Sequence, residues 1–227
     1  MSSLRYCVPT WAAYPKSAGA NMAKKTSIDF KSGFFALIKF AVFIVLIPFI
    51  AAVTISFQKE LSELKYVYHH SFYYGIWVYV LLNFFLTDMN WLYKFGQAVA
   101  YEFFRFWDPL SKVTPYVFPV FTFLSVGIYY VCVRVLGQYP NSGIWFFVIG
   151  LTFAMHIIMT ARELYEADRA AFKPNYLFEM ALVYVVNILM MAQLLNSTAW
   201  KFSLFAFVQT ALDLTQNFYR IMYSRFF

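Results

Sequence analysis

Six long apolar stretches, parted by short polar gaps, occupy most of the chain after residue 32. They cover residues 33–56, 68–87, 116–136, 144–161, 177–195 and 199–217. Each is long enough to cross a hydrocarbon core of ~30 Å at about 1.5 Å per residue. Backbone N–H and C=O groups find no water at that depth, which predicts helices. A membrane barrel would need alternating segments of about ten residues, and these runs do not alternate. Composition agrees. The chain is 62% hydrophobic and 13% charged, about half the charged share of an ordinary soluble domain.

The placement of the basic residues orients the expected bundle. Arg5, Lys16, Lys24, Lys25 and Lys31 precede the first stretch. Lys94, Arg105 and Lys112 lie in the second gap, Arg162, Arg169 and Lys173 in the fourth, and Arg220 and Arg225 at the end. The alternate gaps hold only Lys59 and Lys65, with Arg134 and Lys201 at their edges. The positive-inside rule then puts both termini in the cytoplasm, here that of a bacterial inner membrane. A net charge of +7 matches a basic face beside anionic lipid. It calls for no nucleic acid, since no basic stripe with spaced stacking rings accompanies it.

The expected fold is therefore an all-α integral membrane protein. It has six transmembrane helices arranged in hairpins, with both termini inside. Residues 1–31 read as a disordered basic tail with Pro9, Pro15 and Gly19, and Met22 offers a second start for translation. Residues 32–227 read as one six-helix domain. Cys7 and Cys132 fall on opposite sides of the bilayer, so no disulfide is expected.

The joints carry capping signals. Thr114-Pro115 and Pro174-Asn175 predict helix starts. Tyr139-Pro140-Asn141-Ser142-Gly143 reads as a turn whose Asn141 or Ser142 caps the fourth helix, and Asn196-Ser197-Thr198 is expected to cap the sixth. In the second gap Lys94, Gln97, Tyr101, Arg105 and Asp108 follow helical steps, while Leu92, Val99, Phe103 and Phe106 form the other face. That pattern predicts an amphipathic helix lying in the membrane interface.

Chemistry is suggested only by polar residues inside the apolar stretches. Lys39, His156, Glu179 and Asp213 come from four different helices and share one expected depth, with Asn187 further along the helix of Glu179. Ionisable groups at such depth face protein or water. The expectation is that the fourth, fifth and sixth helices pack their polar stripes together (His156, Thr160 and Glu163; Glu179 and Asn187; Thr210, Asp213, Asn217 and Arg220), with Lys39 as counter-charge to Asp213 or Glu179. The plainer reading makes each a structural contact between helices, or a snorkelling lysine.

No nucleotide loop, zincin motif or nucleophile elbow occurs. No cofactor is expected. His69 and His70 are a weak metal signal, because adjacent helical positions point about 100° apart. His156 sits too far across the bilayer from them to share a haem. The favoured reading is a non-catalytic membrane subunit or assembly scaffold. Its partners would be the lipid bilayer and other membrane proteins or further copies of itself. A small ion- or proton-coupled transporter is the alternative, and an intramembrane enzyme acting on lipid comes third.

Overall fold

The computed structural model describes residues 30–85, 90–106, 110–135, 137, 142–168, 174–198 and 201–226. The basic tail before residue 30, Asp108 and Asn141 lie outside them. Among the described residues every regular element is a helix: α1 (Phe30–Ser62), α2 (Tyr66–Phe85), α3 (Asn90–Phe104), α4 (Leu110–Val117), α5 (Val120–Arg134), α6 (Ser142–Ala167), α7 (Pro174–Thr198) and α8 (Leu204–Phe226). Contacts divide the chain into Met1–Phe35 and Ala36–Phe227. Of the first unit only the opening of α1 is described.

Three helices are long and apolar enough to cross a membrane: α1 from Gly33, α6 and α7. A fourth candidate arises if α2 and α3, bent by 119°, count as one span. The protein is thus all-helical with three to four candidate membrane-spanning helices, fewer than the six apolar stretches suggest.

Two stretches account for the drop from six to four, and the second stretch counts only together with α3. The third is split between α4 and α5 at Pro119, whose φ of −79° and ψ of 77° leave the helix. Proline has no N–H to donate and keeps the preceding residue, Phe118, out of helical geometry. Pro115, expected to start a helix, lies inside α4 instead. What remains, α5, has 15 residues and spans about 22 Å at 1.5 Å per residue. The sixth stretch starts later than expected. Asn196, Ser197 and Thr198 belong to the last turn of α7. Asn196 still reaches forward, its Oδ1 accepting the Leu204 N–H at 3.1 Å. The cap proper is Ser203, whose Oγ accepts the Ala206 N–H at 3.2 Å. The resulting α8 carries polar residues through to Arg225, and it does not pass as a span on length and apolarity.

Packing centres on the crossing of α2 and α6. Gly75 and Gly150 lie at the contact, each against the other helix's backbone. A β-carbon at Gly75 would collide with the Phe147 carbonyl oxygen and sit 2.8 Å from the Leu151 nitrogen. One at Gly150 would collide with the Phe72 carbonyl oxygen. Around this point Phe72, Phe146, Ile149 and Phe153 are almost fully buried. Phe57 of α1 joins the same core, with ring centroids 6.2 Å from Phe72, 5.9 Å from Phe202 and 6.3 Å from Phe207. From α7, Ile188, Met191 and Leu195 close it. A smaller cluster of Tyr79, Tyr93, Ala154, Met155 and Met159 joins α2 and α3 to α6.

This crossing has a direct consequence. Gly75→Ala or Gly150→Ala should each cost about 2–3 kcal/mol, because the obstacle is backbone and cannot rotate away. Gly127→Ala on α5, where a β-carbon meets nothing within 4 Å, should stabilise by up to about 1 kcal/mol through helix propensity. Thermal unfolding in detergent, followed by circular dichroism, separates the three variants.

Candidate functional site

Two polar assemblies, one isolated amide and one outward carboxylate account for the intramembrane residues singled out by sequence. The first assembly joins α1 to the start of α7. Lys39 Nζ donates to Asn175 Oδ1 at 2.9 Å and lies 3.6 Å from Glu179 Oε1. Asn175 and Glu179 are four residues apart, so one face of α7 presents both. The first turn of α7 is pinned by Asp168, whose Oδ2 accepts the Tyr176 N–H at 3.1 Å. Lys39 therefore does pair with Glu179, one of its two expected partners. Their side chains are 37% and 46% exposed, and a pair so open to its surroundings contributes at most about 1 kcal/mol in water.

The second assembly lies between α6 and α3. His156, Thr160 and Glu163 form the expected stripe on α6, but this stripe turns toward α3 rather than toward α7 and α8. Gln97 Nε2 donates to Glu163 Oε2 at 2.7 Å and to Tyr93 Oη at 2.9 Å. Tyr93 Oη lies 2.9 Å from Thr160 Oγ1. With its oxygen accepting from Gln97, the phenol is free to donate its proton to the threonine. One turn along, His156 is 5% exposed, with Nε2 3.1 Å from the Tyr116 carbonyl oxygen. A carbonyl only accepts, so Nε2 carries the proton. The Tyr93 and His156 rings are 6.1 Å apart. The cavity beside them measures about 10 Å³, room for one water at most.

Gln97 explains why α3 docks this way. The sequence pattern sets it on a polar face with Lys94, Tyr101 and Arg105. Lys94 and Tyr101 are indeed exposed, and Arg105, just past the helix end, sits 3.4 Å from exposed Glu102. Gln97 instead joins Tyr93, Gly96 and Ala100 on the face turned to the bundle. Gly96 brings α3 so close that an added β-carbon would lie 2.7 Å from the Phe121 ring. Tyr93, Tyr116 and Asn175 were not foreseen as members of these sites. The i, i+4 pairs Tyr93–Gln97 and Asn175–Glu179 were the available signal.

Asn187 and Asp213 join neither assembly. Asn187 is fully buried. Its Nδ2 donates to the Val183 carbonyl of its own helix at 2.9 Å, and its Oδ1 has no partner. Asp213 is exposed, as are Asn217 and Arg220. The inward face of α8 is Phe207 and Ala211, and Tyr219 Oη donates to the Val45 carbonyl of α1 at 2.6 Å. Among the described residues no hydrogen bond or ion pair links Asp213 to Lys39, His156 or Glu179. The shared depth read from the sequence thus resolves into an α1–α7 pair, a buried histidine, a buried amide and an outward carboxylate.

His69 and His70 stand at the start of α2, their rings 5.1 Å apart at 90°. His70 Nδ1 lies 3.1 Å from the Tyr66 carbonyl oxygen. Among the described residues no three His, Cys, Asp or Glu side chains gather as a metal site would require.

Tyr93→Phe should destabilise the fold by about 1–3 kcal/mol, since it strands the buried Thr160 hydroxyl and one Gln97 proton. Arg105→Ala, on the exposed end of the same helix, should stay within about 0.5 kcal/mol of the parent. Equal losses in both, read by thermal unfolding, would contradict the network. No protein-family model matches the chain, and neither a curated protein nor a solved structure matches it significantly.

Proposed function

We propose that this protein is a non-catalytic multi-pass membrane subunit that works by packing against other membrane proteins or further copies of itself. The observation that carries this reading is α8. It turns Asp213, Gln216, Asn217 and Arg220 out of its own chain, among exposed Leu212, Ile221 and Met222. A surface mixing apolar area with a carboxylate is poorly served by lipid tails, and polar side chains at such depth serve as contacts between helices. The long apolar surface of α1 adds to this, with Leu37, Val45 and Ile47 all exposed.

In this reading the chain crosses a bacterial inner membrane six times. The pair α4–α5 makes the third crossing, α8 makes the sixth, and both termini are cytoplasmic. Helix α3 lies along the interface with Trp91, Phe103 and Phe106 among the headgroups. A transporter or an intramembrane lipid enzyme would want a watered path joining its ionisable groups. The space beside His156 holds one water at most, and Glu179 and Asp213 contact neither His156 nor each other.

The test is affinity capture of the full chain in mild detergent, with the size of the complex measured. The expected result is a stoichiometric assembly, hetero-oligomeric or self-associated. Asp213→Leu should weaken it at least about tenfold, the ratio that corresponds to 1.4 kcal/mol, with the helical circular-dichroism signal unchanged. A monodisperse monomer, together with pH-driven uptake into vesicles that Asp213→Asn abolishes, would replace the proposal with transport.

A further inference from the structure

Residues of α1, α2, α6 and α7 surround a cavity of about 220 Å³. That is smaller than a pocket for a drug-sized ligand and suits a smaller molecule. Its inner wall is apolar: Phe57, Phe72, Phe153 and Ile188 line it, each at most 6% exposed. Gln58 lines it too and is exposed, which marks the mouth. Tyr184 also lines a second cavity, of about 310 Å³, shared by α1 and α7. Space for an apolar chain thus adjoins Tyr184 in two cavities.

Three hydroxyls share the lining of the first cavity, those of Thr54, Tyr73 and Tyr184. Two of them have a fixed hydrogen-bond direction. Thr54 Oγ1 donates to the Ile50 carbonyl oxygen at 2.8 Å. A threonine has one such proton, and a carbonyl has none to give. Thr54 Oγ1 also lies 3.0 Å from Tyr184 Oη. Both contacts are hydrogen bonds only if the tyrosine donates to the threonine. The Tyr184 proton is then spent, and its oxygen can still accept. Among the described residues Tyr184 Oη has no other hydrogen-bond partner.

That direction selects a ligand. A ketone, aldehyde, ether or ester oxygen only accepts, and it finds no proton at Tyr184. An alcohol brings the missing proton, and its own oxygen can accept from the Tyr73 phenol or the Gln58 amide. Among the described residues no charged side chain lines the cavity, so an ion there would lack a counter-charge, at high cost.

We propose that this cavity binds the hydroxyl end of a neutral lipophilic alcohol with a flexible apolar chain, such as a prenol or a straight-chain alkanol. The hydroxyl donates to Tyr184 Oη, and the chain packs on the phenylalanine wall. The cavity is separate from the outward face of α8, so this proposal and the subunit reading stand or fall separately.

The test uses the full-length protein, delipidated in neutral detergent. Equilibrium dialysis measures its uptake of radiolabelled geraniol or decanol against protein-free micelles. Saturable one-to-one binding of at least one alcohol is expected. Geranial and geranyl methyl ether keep the chain and lose the hydroxyl proton, so they should compete at least about fivefold more weakly than geraniol. Tyr184→Phe should remove that preference by weakening the alcohol alone. Thr54→Val should act the other way, because it returns the Tyr184 proton, and geranial should gain on geraniol. Both substitutions keep side-chain shape, so the helical circular-dichroism signal should persist; the ligand series on the parent carries the test if either variant unfolds. Tighter geraniol binding names an isoprenoid chain as the occupant, tighter decanol binding a straight one, and equal binding a site that reads the hydroxyl alone. Absence of saturable binding by both alcohols overturns the proposal. So does an aldehyde or ether that competes as well as geraniol, or a Tyr184→Phe variant that keeps the parent's preference.

Discussion

Two glycines on different helices, Gly75 and Gly150, bring the backbones of α2 and α6 into contact, and most of the remaining packing follows from that approach. In lipid there is little hydrophobic gain in pressing one apolar helix on another, so helices associate through close van der Waals fit. With no side chain at the crossing, Phe72, Phe146 and Phe153 can close around it rather than hold the helices apart. Phe57 then inserts from α1 and touches the Phe202 and Phe207 rings, which ties the start of α8 to the same centre. α6 is the hub. It gives one face to α2, a second to α3 through Thr160 and Glu163, and further contacts to α5 and α7.

The polar chemistry of the chain is shaped by this arrangement. On the α3 side of the hub, Glu163, Gln97, Tyr93 and Thr160 satisfy one another, and His156 spends its donor on a carbonyl. Such a network fixes the position of α3, since an unpaired group there would cost more than the bond gains. Outward-turned polar groups appear on α8, where Asp213, Asn217 and Arg220 are exposed.

The helical character of the chain was legible because apolar runs of that length have few other solutions. The start of α7 was legible because Pro174 carries local chemistry that acts without help from the fold. The break at Pro119 was written in the sequence too, but continuous apolarity from residue 116 to 136 conceals it, and hydropathy does not register a missing N–H. Gly75 and Gly150 stand alone in their apolar stretches, and a single glycine in a helix signals only lower propensity. The spacings Ser71-x-x-x-Gly75 and Gly150-x-x-x-Ala154 were the available sign of a packing face. Helical periodicity correctly grouped Thr160 with Glu163, and Asp213 with Asn217. It could not say which neighbour each stripe meets, because helices apolar on nearly every side leave that choice to shape.

The measurement that bears most directly on this account is a solid-state NMR carbon–carbon correlation in lipid bilayers. The protein would carry ¹³C at the Cα of Gly75 and at the carbonyl carbon of Phe147. The two atoms face each other across the α2–α6 crossing, so a strong cross-peak is expected at short mixing time. Its absence, with both labels resolved and the helical shifts intact, would mean that the two helices do not meet there, and the core described around them would have to be abandoned.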